Sequence, residues 1–294
     1  LNISTFSSLI NFRRVVITLT LSWLTLFVLL PHLMVLLTSI LSPDSEHLVV
    51  WPITLDNYTR IFEPIYANIF WDSLLLSGTT TVICLLIGYP FAYFLSNMTP
   101  TLRVVLLFLM VVPFWTNSLI RIYAIKMIIG KKGIINSFLL TTNIIDTPLQ
   151  ILYTDFAVVI GLVYILLPFM VLPLMASFDK LDKNLIEVGR DLGASAVNRF
   201  IHIILPLTAP GIIAGSLMVF LPAMGMFYVA DILGGAKTLL LGNVIKNQFL
   251  VVRDWPFGSA FSVFLIVLMA ALLAIYHRAN SYIQQKGGLD DENL

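Results

Sequence analysis

Charge is what this sequence lacks most. Only 11% of its 294 residues are Asp, Glu, Lys or Arg, against 59% that are hydrophobic. A soluble domain carries roughly 25% charged and 45–50% apolar residues. So few charges cannot cover a water-facing surface of this size. The surplus apolar side chains need an apolar solvent, and the bilayer is one. Net charge is +1, which gives no basic field for nucleic acid and no acidic one for metal storage. Cysteine is nearly absent. The single thiol, Cys84, lies in an apolar run. It excludes an intrachain disulfide and reads as a buried, inert packing residue rather than a reactive one.

Catalytic signatures are missing as well. The chain has no G-x-x-x-x-G-K-[ST], no H-E-x-x-H and no G-x-S-x-G. Its four histidines, His32, His47, His202 and His277, are scattered without metal-ligand spacing. The sequence therefore reads as no enzyme, with no metal or cofactor of its own. Any energy source lies on another subunit.

What is present is a series of long apolar runs. A membrane span needs about 20 mainly apolar residues. Six stretches qualify: 15–38, 73–96, 103–122, 155–178, 207–231 and 258–279. The fold class expected is therefore an all-α, polytopic bundle of six transmembrane helices. Residues 1–14 form an N-terminal segment, 15–279 the spanning domain, and 280–294 a polar tail. The first run follows Arg13 and Arg14, is too long for a secretory h-region and has no A-x-A site. It reads as an uncleaved span. Prolines interrupt several runs, at Pro31, Pro90, Pro113, Pro168, Pro173 and Pro222. They suggest either helices kinked around a path or ordinary membrane-helix proline.

With both ends inside, inner segments hold nine basic residues and outer segments eight. The paired arginines directly before the first span place the N-terminus in the cytoplasm. The loop over 39–72 holds Trp51, Tyr58, Tyr66 and Trp71. These suit either a membrane–water interface or a docking segment for a soluble partner.

The loop over 179–206 is the most informative. Asn184 is placed to cap a helix, with Glu187 at its third position. Leu185, Val188 and Leu192 fall on one face, and Glu187 and Arg190 can pair along the other. Gly193 can take the left-handed conformation that ends a helix, and Ser195 can cap the next. Pro206 marks the entry to the fifth span. The expectation is a short amphipathic helix, a turn and a second short helix at the membrane surface.

Glu187, Gly193, Ile203, Leu205 and Pro206 resemble the EAA loop of binding-protein-dependent ABC importer permeases. That pattern is Glu-Ala-Ala, a Gly six positions after the Glu, then Ile-x-Leu-Pro. Val188 and Gly189 stand where the family has its two alanines. Further runs are similar to the spermidine/putrescine branch: Val112 to Arg121, Gly161 to Val171, Leu221 to Asp231 and Asp254 to Gly258. The resemblance implies a type I, MetI-like permease fold in a bacterial inner membrane, surrounded by lipid. It implies a heterodimer with a second permease, two copies of a cytoplasmic ATPase that binds ATP and Mg, and a periplasmic polyamine-binding protein. It also implies that Glu187, Arg190, Asp191 and Gly193 lie at the ATPase joint. A permease for another solute, such as a ferric ion or an anion, and a stand-alone secondary transporter are the alternatives.

A path for polyamines calls for carboxylates toward ammonium groups and aromatic faces toward methylenes. Asp231, at the end of the fifth span, has Phe227 and Tyr228 one turn before it. Asp231 either attracts cations near the outer mouth or caps the helix and pairs with Lys237. Phe220, Ala223 and Phe227 extend one face inward. Trp115, Asn117 and Arg121 form a second group at the end of the third span. Trp115 reads equally as a belt or a path residue, and Arg121 either pairs with Asp155 or Asp254 or holds the bundle. Gly211 and Gly215 make a G-x-x-x-G pair that reads as packing within a dimer core.

Overall fold

The computed structural model describes residues 3–44, 48–235 and 237–288, and no strand occurs among them. His47 and the last part of the expected tail, from 289, lie outside the described residues. Among the described residues five helices are long and apolar enough to cross a membrane: α1 (Phe12–Ser39), α3 (Pro64–Ser96), α7 (Asp155–Asp179), α9 (Ala196–Gly225) and α12, apolar over Trp255–Tyr276 and helical to Gly288. The shorter elements are α2 (Asp56–Arg60), α4 (Pro100–Val111), α5 (Ser118–Ile129), α6 (Ile134–Thr141), α8 (Lys183–Asp191), α10 (Phe227–Val229) and α11 (Leu241–Asn247).

The third expected span is not one helix. α4 tightens into a 3-10 turn over Val112–Trp115 and stops. The chain then bends by 97° and restarts. Pro113 cannot donate a backbone hydrogen bond, and Asn117 accepts from Leu119 N at 2.8 Å to cap α5. Counted as one broken span, this pair brings the total to six. The fifth span also differs. It begins at Ala196, without a separate short helix before it, and ends at Gly225, six residues before Asp231. Met226 takes φ −75° and ψ 63°, which no helix continues through.

The chain divides into two compact units. The first comprises residues up to Glu63 together with 245–268. Within it, the apolar surface of α1 is not covered by the chain. Asn57 is buried and donates to Ser39 O and Leu41 O, which ties α2 to the end of α1. Asp254 caps α12 by accepting from Phe257 N and pairs with Arg60 at 2.8 Å.

The second unit comprises 64–244 and the rest of the chain after 268. Its core is built where α3, α7 and α9 pack on one another. α7 is the central element: 61% of its 18-residue apolar stretch is buried, against 28% of the equivalent stretches of α3 and α9. Leu162, Leu166, Met170 and Leu174, spaced four apart, are fully buried along it. The Gly211–Gly215 pair packs against α7 of the same chain. A Cβ on Gly211 would stand 2.8 Å from Pro173 O, and one on Gly215 would stand 3.0 Å from Met170 O. The two glycines let α9 lie directly on α7.

Candidate functional site

The loop over 179–206 is set by three local devices. Asp182 rather than Asn184 is the cap, its Oδ1 accepting from Asn184 N at 3.0 Å. Asp182 has extended backbone angles and Asn184 is already helical, so the start lies two residues earlier than expected. Gly193 has φ +81°. Its N–H donates to Arg190 O and the next N–H, of Ala194, donates to Gly189 O, both at 3.0 Å. These two bonds form a Schellman termination, which a left-handed glycine makes without Cβ strain. Ser195 Oγ then accepts from Asn198 N at 3.2 Å and opens α9.

Gly189 is buried in α8. A Cβ there would stand 2.7 Å from Ile203 Cδ1. The small residue lets α8 close onto the first turns of α9, so the replaced alanine is compensated by contact. Ile186 packs with Leu181 against the core. The opposite face is open: Leu185 is 46% exposed, Val188 53% and Leu192 82%. Glu187, Arg190 and Asp191 are exposed around it, and Glu187 and Arg190 do not form an ion pair. Glu187 also borders a cleft of about 200 Å³ with Tyr93, Asn97 and Phe178. Sequence reasoning missed the ion pair between Arg103 and Asp179, which fastens the first turn of α4 to the end of α7 beside this loop.

The group around Asp231 is held differently from expectation. The break at Met226 separates Phe227 from Phe220 and Ala223, so these do not form one helical face. Ala223 is fully buried in the core. Asp231 lies in a π turn, Ala230–Gly234, and is exposed. Asn243 Nδ2 donates to Asp231 Oδ1 at 2.7 Å and to Phe227 O at 3.1 Å. Asn243 Oδ1 accepts from Leu240 N at 2.9 Å. The side chain of Asn243 is completely buried and fixes both ends of the segment. Phe227 and Tyr228 meet edge to face at 6.1 Å. A lone Asn after a run of leucines was the available signal for this residue.

Trp115 is 77% exposed and meets the Phe108 ring edge to face. Asn117 serves as the cap of α5. Arg121 pairs with neither expected acid. Asp155 accepts from Thr238 Oγ1, and Asp254 is taken by Arg60. Asp155 and Asp72 share a groove of about 440 Å³ with Phe156, Thr79 and Lys237, a pair of carboxylates that hydropathy alone did not bring together.

Residues 88–286 match the family described as binding-protein-dependent transport system inner membrane component. This chain belongs to that family. The match takes in the whole 179–206 loop. The chain is 56% identical over 280 residues to a protein of Haemophilus influenzae named spermidine/putrescine transport system permease protein PotB, covering 95% of this chain and 98% of that one. It is 55% identical over 268 residues to the protein of the same name in Escherichia coli, covering 91% and 98%. A solved structure of a bacterial alginate ABC transporter, in complex with a pentasaccharide-bound periplasmic protein, aligns over 92% of this chain and 94% of its own. Its TM-score is 0.75 at 14% identity, which establishes a shared fold and no shared cargo. The chain is thus a multi-pass inner-membrane component of an ABC importer, with the type I permease fold.

Proposed function

We propose that this chain is one of two permeases forming the path for spermidine and putrescine in an ATP-driven importer. The second permease, two cytoplasmic ATPase copies and a periplasmic polyamine-binding protein complete the assembly. ATP and Mg act on the ATPase, and both termini of this chain lie in the cytoplasm. The observation that carries the reading is the open apolar face of α8. Leu185, Val188 and Leu192 are held out together on one side of a short helix capped at both ends. Such a face suits a cleft in a soluble partner. Glu187, Arg190 and Asp191 form its polar rim, and the identity with the two polyamine permeases supports the cargo.

In this reading ATPase closure moves α8 as a rigid piece. Gly189 against Ile203 passes the movement into α9, and the Arg103–Asp179 pair passes it toward α4. At the other end of α9, Asp231 offers a carboxylate to an ammonium group. Asn243 orients that carboxylate by donating to its Oδ1. Phe227, Tyr228 and Trp115 offer aromatic faces to cations and methylenes, worth about 0.5–2 kcal/mol per contact. Contacts of that size hold a polyamine in passing and still let it leave.

The test is uptake of labelled spermidine by the complete transporter reconstituted in vesicles with ATP inside. Uptake that needs ATP and the binding protein supports the reading. Transport of an unrelated solute but not of polyamines would leave the importer and remove the cargo. Cysteines placed in α8 should be labelled only from the cytoplasmic side; labelling from outside would make the ATPase contact impossible.

A further inference from the structure

Arg121 is the one charged side chain among the described residues that is buried to nine-tenths, with 9% exposure. Its Nε and Nη1 are sealed from solvent and have no hydrogen-bond partner. Two rings flank it instead. Cζ stands 4.7 Å from the centroid of Phe114 and 5.8 Å from that of Tyr164. The third nitrogen, Nη2, is not among the sealed atoms, so the remaining exposure leaves the cation open there. An ionised group buried with ring faces alone for company is an incomplete arrangement: stacking on rings offsets only part of its desolvation.

Depth decides what can complete it. α7 has 25 residues, about 37 Å of helix, against a hydrocarbon core of about 30 Å. Tyr164 comes nine residues after Asp155, the first residue of α7. That puts it roughly 14 Å along the helix and about 10 Å inside the core when the helix is centred. Arg121 lies against that ring, below the level of lipid phosphates. Cations at such depth pair with acids or with backbone carbonyls, and of the two only an acid cancels the charge. A polyamine is itself a cation and cannot serve.

We infer that a carboxylate from a membrane span of the second permease seats on Nη2 of Arg121 and fixes the contact between the two permeases there. The inference rests on the two-permease assembly proposed above. The exposed side chains beside it fit a packed protein surface: Trp115, Ile120 and Tyr164 are 77%, 66% and 43% exposed. Because guanidinium charge is spread over three nitrogens, a carboxylate on the open one neutralises the whole group while the rings cover its faces.

The experiment uses the complete transporter, with this chain tagged. The wild-type chain should bring down a second six-span protein; recovery of this chain alone would end the two-permease reading without testing the contact. With that satisfied, Arg121→Glu should lower recovery of the second permease tenfold or more, at an unchanged membrane level of the tagged chain. Arg121→Lys should retain recovery. Replacing one membrane-embedded carboxylate of the second permease by Lys should restore recovery to Arg121→Glu. Arg121→Gln and the amide variant of that same carboxylate should be no worse together than singly, which also serves if Arg121→Glu fails to accumulate. If no carboxylate restores recovery and every pair is additive, the inference is wrong. Restoration by a change in anionic lipid content would make a lipid phosphate the counter-charge and equally overturn it.

Discussion

Asn243 and Asp231 are joined at 2.7 Å by a buried amide donating to an exposed carboxylate. The same amide holds Phe227 O, and its oxygen holds Leu240 N. Under the proposed function the two residues separate by role, Asn243 holding the segment and Asp231 offered to the cargo. Asp231→Asn should lower polyamine uptake several-fold, with little change in the midpoint of thermal unfolding in detergent. Asn243→Leu should do the reverse in order. It leaves the buried N–H of Leu240 unpaired, at about 1–3 kcal/mol, and removes one of the two donors to Phe227 O, the other being Ala230 N–H, so the unfolding midpoint falls first and uptake with it. Equal loss of stability in both variants would remove the distinction.

That arrangement marks where the sequence stops being readable. α7 is legible almost to the residue, at 155–179 against an expected 155–178, because an uninterrupted apolar run follows Thr154, which caps it by accepting from Ala157 N. The third run, 103–122, is apolar enough to read as one span but bends by 97°. Hydropathy sums side chains and does not register that Pro113 and Asn117 cut the hydrogen-bond ladder between them. The end of α9 is hidden for a similar reason, since Met226 breaks the helix with no loss of hydrophobicity. In the 179–206 loop the turn glycine was legible from local chemistry, whereas the contact of Gly189 with Ile203 depends on how two helices close. Asn243 could not be tied to Asp231, because nothing in a linear pattern says which polar atoms a chain reversal will bring together.

Gly193 and Leu192 should give opposite signatures. Gly193→Val forces a β-branched side chain into φ +81°, at a cost of order 1–3 kcal/mol. It should shorten α8 and lower the unfolding midpoint. Leu192→Glu alters a side chain that is 82% exposed and should leave folding unchanged. Its expected effect is a tenfold or greater loss of ATPase co-purification, with transport lost in proportion. Full ATPase recovery with Leu192→Glu would show that the apolar face of α8 is not the docking surface.

The close approach of α9 to α7 predicts sensitivity to a single methyl group. Gly211→Ala places Cβ 2.8 Å from Pro173 O, a backbone atom that cannot turn aside, and 2.4 Å from Ser177 Oγ. Overpacking of this kind costs about 1–3 kcal/mol. Gly215→Ala should act similarly, with its Cβ 2.8 Å from Met170 Sδ and 3.0 Å from Met170 O. The measurement is the unfolding midpoint of each variant in one detergent. Adding Ser177→Ala should recover only part of the loss at Gly211, because the carbonyl of Pro173 remains. Complete recovery would mean that the two helices are not locked at that distance.

Arg60 and Asp254 test whether a charge pair is symmetrical. The pair spans 2.8 Å with Asp254 only 12% exposed, and the Arg60 guanidinium lies 4.2 Å above the Phe257 ring. Asp254 has a second duty, since its Oδ1 accepts from Phe257 N and caps α12. Exchanging the two residues, Arg60→Asp with Asp254→Arg, restores opposite charges but puts a donor where the helix start needs an acceptor. Loss of a cap costs about 0.5–2 kcal/mol, and the ring contact of the guanidinium is lost as well. The exchanged protein should therefore stay less stable than the wild type and resemble Asp254→Ala in its unfolding midpoint. Arg60→Lys, which keeps the charge and leaves the cap untouched, should lose less than either. An exchanged protein as stable as the wild type would mean that charge attraction alone holds this corner, with neither the cap nor the ring contributing.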